Sequence, residues 1–368
     1  MSLLNLLVAA LLAQEPGTTL DLGARKAVVK KLDALPFVES DYTKRFKFDS
    51  SDNPKLKELR EKYKLDDVVA PGKDEFDKQV LLLDWTHQQF KKFGRPSANP
   101  RGALEILKCV EEGHTFFCAQ YGDTLVSAAA SLGWVDRSLS LRRHRDYPGA
   151  GAPEHTSTEI WSNQHRKWIM IDPTANMFVE KDGVPLNAYE IRTEWFSHEG
   201  KDLVFSIGKE RKKHRKADLP IFLGRFAGFG DLTVPANEME KYGFTAYIPN
   251  TNLMDAGPDY GKMFIVKDKL CEGTKWHERT NPANPAVDPY FPIGQAAVSL
   301  SPEAGKLKVA FRTMTPNFKE YQVQQDGGGW KPSGDTLLWT LRPGLNRLEA
   351  RTINQFGVAG PISTVEIE

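Results

Sequence analysis

His155-Thr-Ser-Thr-Glu159-Ile-Trp161-Ser-Asn163-Gln-His165-Arg166-Lys167-Trp168-Ile-Met-Ile-Asp172 reads as a β-hairpin. His155 to Trp161 is extended, Asn163 to Arg166 is the turn, and Lys167 to Asp172 returns as a strand. A turn centred between Gln164 and His165 pairs Trp161 with Trp168 and Ser157 with Asp172. Cross-strand partners share a face, so His155 lies diagonal to Asp172 and within side-chain reach. A slip of one residue would put the two on opposite faces.

A histidine oriented by a carboxylate is what a sulfur or oxygen nucleophile needs as its base. The sequence upstream offers a thiol. Thr115-Phe-Phe-Cys118-Ala-Gln-Tyr-Gly122-Asp-Thr-Leu125-Val-Ser-Ala-Ala129-Ala-Ser-Leu132-Gly133 is predicted as a helix closed by Gly133. With Thr115 as N-cap, Cys118 is the N3 residue. There the helix dipole and free N–H groups favour a thiolate, and a backbone N–H can serve an oxyanion. Gly122, Leu125, Ala129 and Leu132 turn the same face inward, which also suits a merely buried cysteine. His114 is a rival base by proximity in sequence. Gln120 and Tyr121 are candidates to line the cleft, and Trp85 to approach it from the preceding helix.

Two further helices are expected, one carrying Phe76, Val80, Leu83, Phe90 and Phe93 at a 3.6 period, the other over 102–111. A polar helix can form over 54–64. Helices followed by strands read as α+β. From residue 295 short alternating runs separated by turn residues predict an all-β sandwich of immunoglobulin or fibronectin type. The expected divisions are 1–13, 14–72 as an extension, 73–217 as the core, 218–294 as an irregular connector, and 295–368.

The 368 residues balance 49 Lys and Arg against 48 Asp and Glu, which gives no general attraction to nucleic acid. The basic run Lys209 to Lys216 has no interleaved aromatics and reads as a solvated loop. Leu3 to Ala13 is an apolar run too short to span a bilayer, and it fits a secretory signal cleaved after Ala13, although its n-region lacks a basic residue. The expectation is a secreted or periplasmic protein without a transmembrane segment; the alternative is a cytoplasmic one. Three cysteines, Cys109, Cys118 and Cys271, make no disulfide framework, and no Cys/His cluster suggests zinc.

The ordered elements resemble the transglutaminase-like superfamily, with its papain-like Cys-His-Asp core. The resemblance rests on the Cys118 helix ending in Leu132-Gly133, a strand holding Arg142 or Arg143, His155 followed by Glu159, and Trp168 before Asp172-Pro173-Thr174. It covers roughly 75–195; the C-terminal part is similar to accessory domains of bacterial members. Two features depart from the pattern: Phe116-Phe117 stand where the family often has Gly-x before Cys, and Thr156-Ser157 where an aromatic often follows the His. The resemblance implies catalytic roles for Cys118, His155 and Asp172, and acyl transfer from an amide through a thioester to an amine or to water. It implies no metal or organic cofactor; a calcium requirement is unresolved, since no acidic loop shows ligand spacing. The partner is a protein or peptide substrate, with a glycan or cell-surface component as a further option. The alternatives are a non-catalytic binding scaffold, with Trp330 and Trp339 as candidate contacts, or carbohydrate-directed chemistry on the same framework.

Overall fold

A computed structural model describes residues 15–143, 155–215, 223–226, 230–233, 242–248, 253–254, 263–269, 271–274, 277–278, 280–283 and 288–368. The signal-like segment, His144 and Lys216 lie outside the described residues. The chain is α+β, and it divides into two compact units, one of residues 38–291 and one that joins 1–37 to 292–368.

The larger unit is built from α1 (Pro54–Lys62), α2 (Glu75–Gln89), α3 (Gly102–Glu111), α4 (Cys118–Ser131), β1 (Asp136–Arg143), β2 (His155–Ser162), β3 (Lys167–Asp172), β4 (Met177–Lys181), α5 (Ala188–His198), β5 (Val204–Ile207), β6 (Lys212–Arg215) and β7 (Tyr242–Tyr247). β7-β1-β2-β3-β4-β5-β6 run in that order through a ten-stranded sheet, with the short strand 264–265 outside β7. The hairpin register is the one the turn length sets: Trp161 faces Trp168 and Thr158 faces Ile171.

Helix α4 packs on one face of β1 and β2. Gly122 permits the close approach, since a Cβ there would stand 3.4 Å from Thr158 Cγ2 and 3.5 Å from Thr156 Cγ2. Ala fits at that distance and gains helix propensity, so Gly122→Ala is expected to leave stability within about 1 kcal/mol. Gly122→Val, which must push the helix off the sheet, is expected to cost about 1–3 kcal/mol in thermal unfolding. The opposite face is covered by rings: Trp168 meets Trp161, Phe46 and Phe291, and Tyr42 meets Phe291 and Phe264.

Helix α2 lies against the hairpin. Near its start, Glu75 accepts hydrogen bonds from Asn163 Nδ2 and Gln164 N, both at 2.8 Å, and Gln79 Nε2 donates to Trp161 O at 3.0 Å. The helix N-terminus is thereby fixed to the hairpin turn, and its later residues reach the segment that follows Asp172.

Several expectations change. Lys212–Arg215 is an edge strand paired with β5, not a loop; its basic side chains stand where charge discourages further strand pairing. Within 218–294, β7 and 264–265 extend the central sheet; at six and two residues they are too short to show a period. The stretch 14–72 is shared between the units. Thr19–Asp21 and Lys26–Asp33 are strands of the smaller unit, and Lys26–Asp33 pairs with Ser363–Ile367.

The smaller unit has a six-stranded and a three-stranded sheet. Val29, Leu307, Val309, Phe311, Trp339, Leu348 and Ile367 meet in one apolar core. Trp339 is thus interior, and Trp330 lies under the Arg351 guanidinium at 4.2 Å.

Candidate active site

Cys118 opens helix α4, but its cap is not Thr115. Phe117 is the N-cap and Cys118 the first helical residue. Thr115 is drawn away, its hydroxyl donating to Arg95 O at 2.7 Å and its N–H to Ser97 Oγ at 3.2 Å. The segment before the cysteine lies beside 93–97, with Phe93 bridged to Phe116.

The sheet brings the partners to the thiol. β3 ends at Asp172 and the chain turns away through Pro173, so β2 loses its β3 neighbour near His155 and Thr156 while β1 still pairs there. Thr156 N–H donates to Cys118 Sγ at 3.3 Å. His155 Nε2 lies 2.7 Å from Asp172 Oδ2, which leaves Nδ1 for the sulfur side. The other aspartate oxygen, Oδ1, accepts from Thr174 N at 2.9 Å and from Ala175 N at 3.0 Å. His155 and Asp172 are buried; Cys118 is half-buried.

The electrostatics follow from these contacts. Burial alone would push the Cys118 thiol up, but the His155 charge, its hydrogen bond and the Thr156 N–H outweigh this and hold the thiol below its ordinary value. Burial alone would lower His155; the charges and hydrogen bonds of Asp172 and Cys118 prevail and push the imidazole up to about 10. The surroundings of the pair therefore favour a thiolate facing an imidazolium.

This pairing sets a stability profile. The ordinary values are 6.5 for the imidazole and 9.0 for the thiol. Below 9.0, and above both 6.5 and the folded thiol's lowered value, the unfolded pair carries one proton, on sulfur, and the folded pair also carries one, on His155. The pair's contribution is then flat with pH. Above 9.0 the unfolded pair holds no proton while His155 keeps one to about 10, so the contribution falls as pH rises. Unfolding free energies of the wild type minus those of the Cys118→Ala/His155→Ala protein, measured from about pH 8 to about 10.5, are expected to fall as pH rises above about 9.

The other sequence candidates are placed as follows. Gln120 turns its side chain back to accept from Phe117 N–H at 3.3 Å. Tyr121 is buried and stacked on Phe90 with ring centroids 3.8 Å apart. Trp85 packs on Tyr63. His114 Nδ1 is 2.9 Å from Ser97 Oγ. Arg142 is buried on β1 with Nη2 3.8 Å from Met263 Sδ, and the side chain of Arg143 lies outside what is described.

One group on this strand pair was not among the candidates. Arg137, fully buried on β1, donates to Glu159 Oε2 from Nε at 3.1 Å and from Nη2 at 2.6 Å. It also donates to Tyr42 OH at 3.2 Å and to Pro289 O. Its guanidinium lies over Trp168 at 4.1 Å, with Tyr290, Tyr247 and Tyr42 around it. Glu159 Oε1 accepts from Ala188 N at 2.7 Å and from Tyr290 OH at 3.0 Å. Arg137 is the β1 partner of Glu159, a pairing that the register of the β2–β3 hairpin does not set.

No family model matches the chain, and no curated protein matches it. One solved structure with a partial likeness is that of a "putative cysteine protease" from Cytophaga hutchinsonii, 14% identical over 40% of this chain, with a TM-score of 0.26. The match spans about half, 48%, of that protein's chain. Among the described residues no helix is long and apolar enough to cross a membrane.

Proposed function

We propose that the larger unit is a cysteine-nucleophile enzyme of the transglutaminase-like kind, acting on the amide of a protein or peptide. The observation that carries this reading is the contact chain from Cys118 Sγ through His155 to Asp172, with the thiol held down and the imidazole held up.

The Cys118 thiolate attacks the amide carbon and forms a C–S bond. The charge on the carbonyl oxygen develops at the N-terminus of α4, where backbone N–H groups and the helix dipole stabilise it. His155 gives its proton to the leaving nitrogen, the C–N bond breaks, and an acyl-thioester and an amine result. Asp172 keeps the ring oriented, so that Nε2 stays on the carboxylate and Nδ1 works on the sulfur side. Water or an amine then attacks the thioester, giving its proton to His155, and Cys118 is released as the thiolate. The half-buried cysteine keeps some access to water, which favours hydrolysis over transfer. The smaller unit is proposed as an accessory sandwich of immunoglobulin or fibronectin type.

The test needs no substrate. Native protein is treated with iodoacetamide from about pH 5 to 9, and each cysteine is followed by mass spectrometry. Cys118 is expected to react well below the pH at which Cys109 and Cys271 react, since burial pushes both of those thiols up. His155→Ala is expected to remove that difference. A Cys118 that is inert in the native protein and reactive after denaturation would sink the catalytic reading in favour of a binding scaffold.

A further inference from the structure

Asp172 belongs to a tight turn that is held from outside as well as from within. Its Oδ1 is taken by the turn's own N–H groups, and only Oδ2 faces His155. What sets the turn against the rest of the unit is helix α2. Asn176, at a left-handed φ of 51° that asparagine tolerates, donates from Nδ2 to Asp84 Oδ1 at 2.7 Å. The Asn176 carbonyl accepts from Gly208 N at 2.8 Å. The Pro173 carbonyl accepts from His87 Nδ1 at 3.0 Å, which places a proton on that nitrogen. Asp84 and His87 are three residues apart, so they share one face of α2.

We propose that Asp84 and His87 are positioning residues for the reaction, holding the Asp172 turn so that its free oxygen stays on His155. The inference rests on the Cys118–His155–Asp172 reading and deepens it. The charged groups that act on the His155 ring are Asp172 and Cys118; Asp84 acts on the turn. Asp84 Oδ1 is held by the Asn176 amide, so this link of the clamp is a carboxylate bound to an amide. A carboxylate–imidazole contact of 2.7 Å has little slack, and a shift on the order of 1 Å in a catalytic group is enough to cost a large share of activity.

The experiment is an NMR titration of the His155 ring in the full chain, with thermal unfolding midpoints recorded in parallel. In the wild type His155 is expected to titrate far above an ordinary imidazole. In Asp84→Ala the titration is expected to fall by about one pH unit. Asn176→Gly, which keeps the backbone geometry and removes the amide, should reproduce that fall. The double variant should add nothing to either single one, since both break the same link. Asp84→Asn, which retains the acceptor oxygen, should restore the wild-type value. If Asp84→Ala does not fold, Asn176→Gly and His87→Ala carry the same test. A lowered unfolding midpoint with an unmoved His155 titration would show a brace without bearing on the triad and overturn the proposal. An ordinary titration in the wild type would instead remove the triad reading, and the clamp with it.

Discussion

Asp172→Asn is expected to lower turnover of an amide substrate by roughly 10³–10⁴-fold with Cys118 still in place. The reason is a conflict of hydrogen-bond roles. One oxygen of Asp172 must accept from two backbone N–H groups, Thr174 and Ala175. An asparagine at this position has to keep its carbonyl oxygen there, because its NH₂ would meet two donors. The NH₂ then faces His155 Nε2, which must accept instead of donate. The ring proton moves to Nδ1, toward the sulfur, and the imidazolium loses its counter-charge. Without a known substrate, the same outcome is read as loss of low-pH alkylation of Cys118. A wild-type alkylation profile in Asp172→Asn, with an unchanged unfolding midpoint, would mean that Asp172 only fills space.

The second large effect concerns stability. Arg137→Met is expected to lower the unfolding free energy of the larger unit by about 3–5 kcal/mol, because Glu159 is left as an uncompensated buried charge. Glu159→Gln is expected to cost a similar amount, since it strands a guanidinium enclosed by rings and protein dipoles. The contrast is Lys57–Glu61, an exposed pair 3.8 Å apart on α1, whose removal should cost about 0.3–0.5 kcal/mol. Arg137→Lys keeps the charge but not the flat group that lies on Trp168, and it should recover little. The double replacement Arg137→Met/Glu159→Gln should cost less than the two single ones together. Strictly additive costs in urea titrations would show that the two side chains do not act as a pair.

The geometry around Cys118 could be read from the sequence to the extent that local rules govern it. A hairpin with a turn of even length has one register, and this register puts His155 and Asp172 on one face. A Gly-terminated apolar helix has a defined start, and Cys118 falls within one turn of it. The cap itself was misplaced by two residues, because Thr115 is engaged by Arg95 and Ser97, partners that lie about twenty positions away and leave no local trace. Tyr121 illustrates a second limit. Its place beside Cys118 in sequence says nothing about which side of α4 it covers, and the stacking on Phe90 takes it into the interior. Asp84 and His87 lie about ninety residues before the turn they touch. Only the packing of α2 along the hairpin brings them there.

Lys26–Asp33 pairs with Ser363–Ile367, and Val28 and Glu368 exchange backbone hydrogen bonds at 2.7 and 3.0 Å. These partners are separated by well over three hundred positions, with the whole larger unit between them. On a ribosome the early strands emerge first and have no sheet to join until the last strand is made. Closing so long an excursion is entropically slow, so the larger unit can finish folding while the smaller one still waits for its final strand. A fragment beginning near residue 292 would lack both early strands. It would leave the outer edge of Ser363–Ile367 open, an invitation to pair with a second copy of itself.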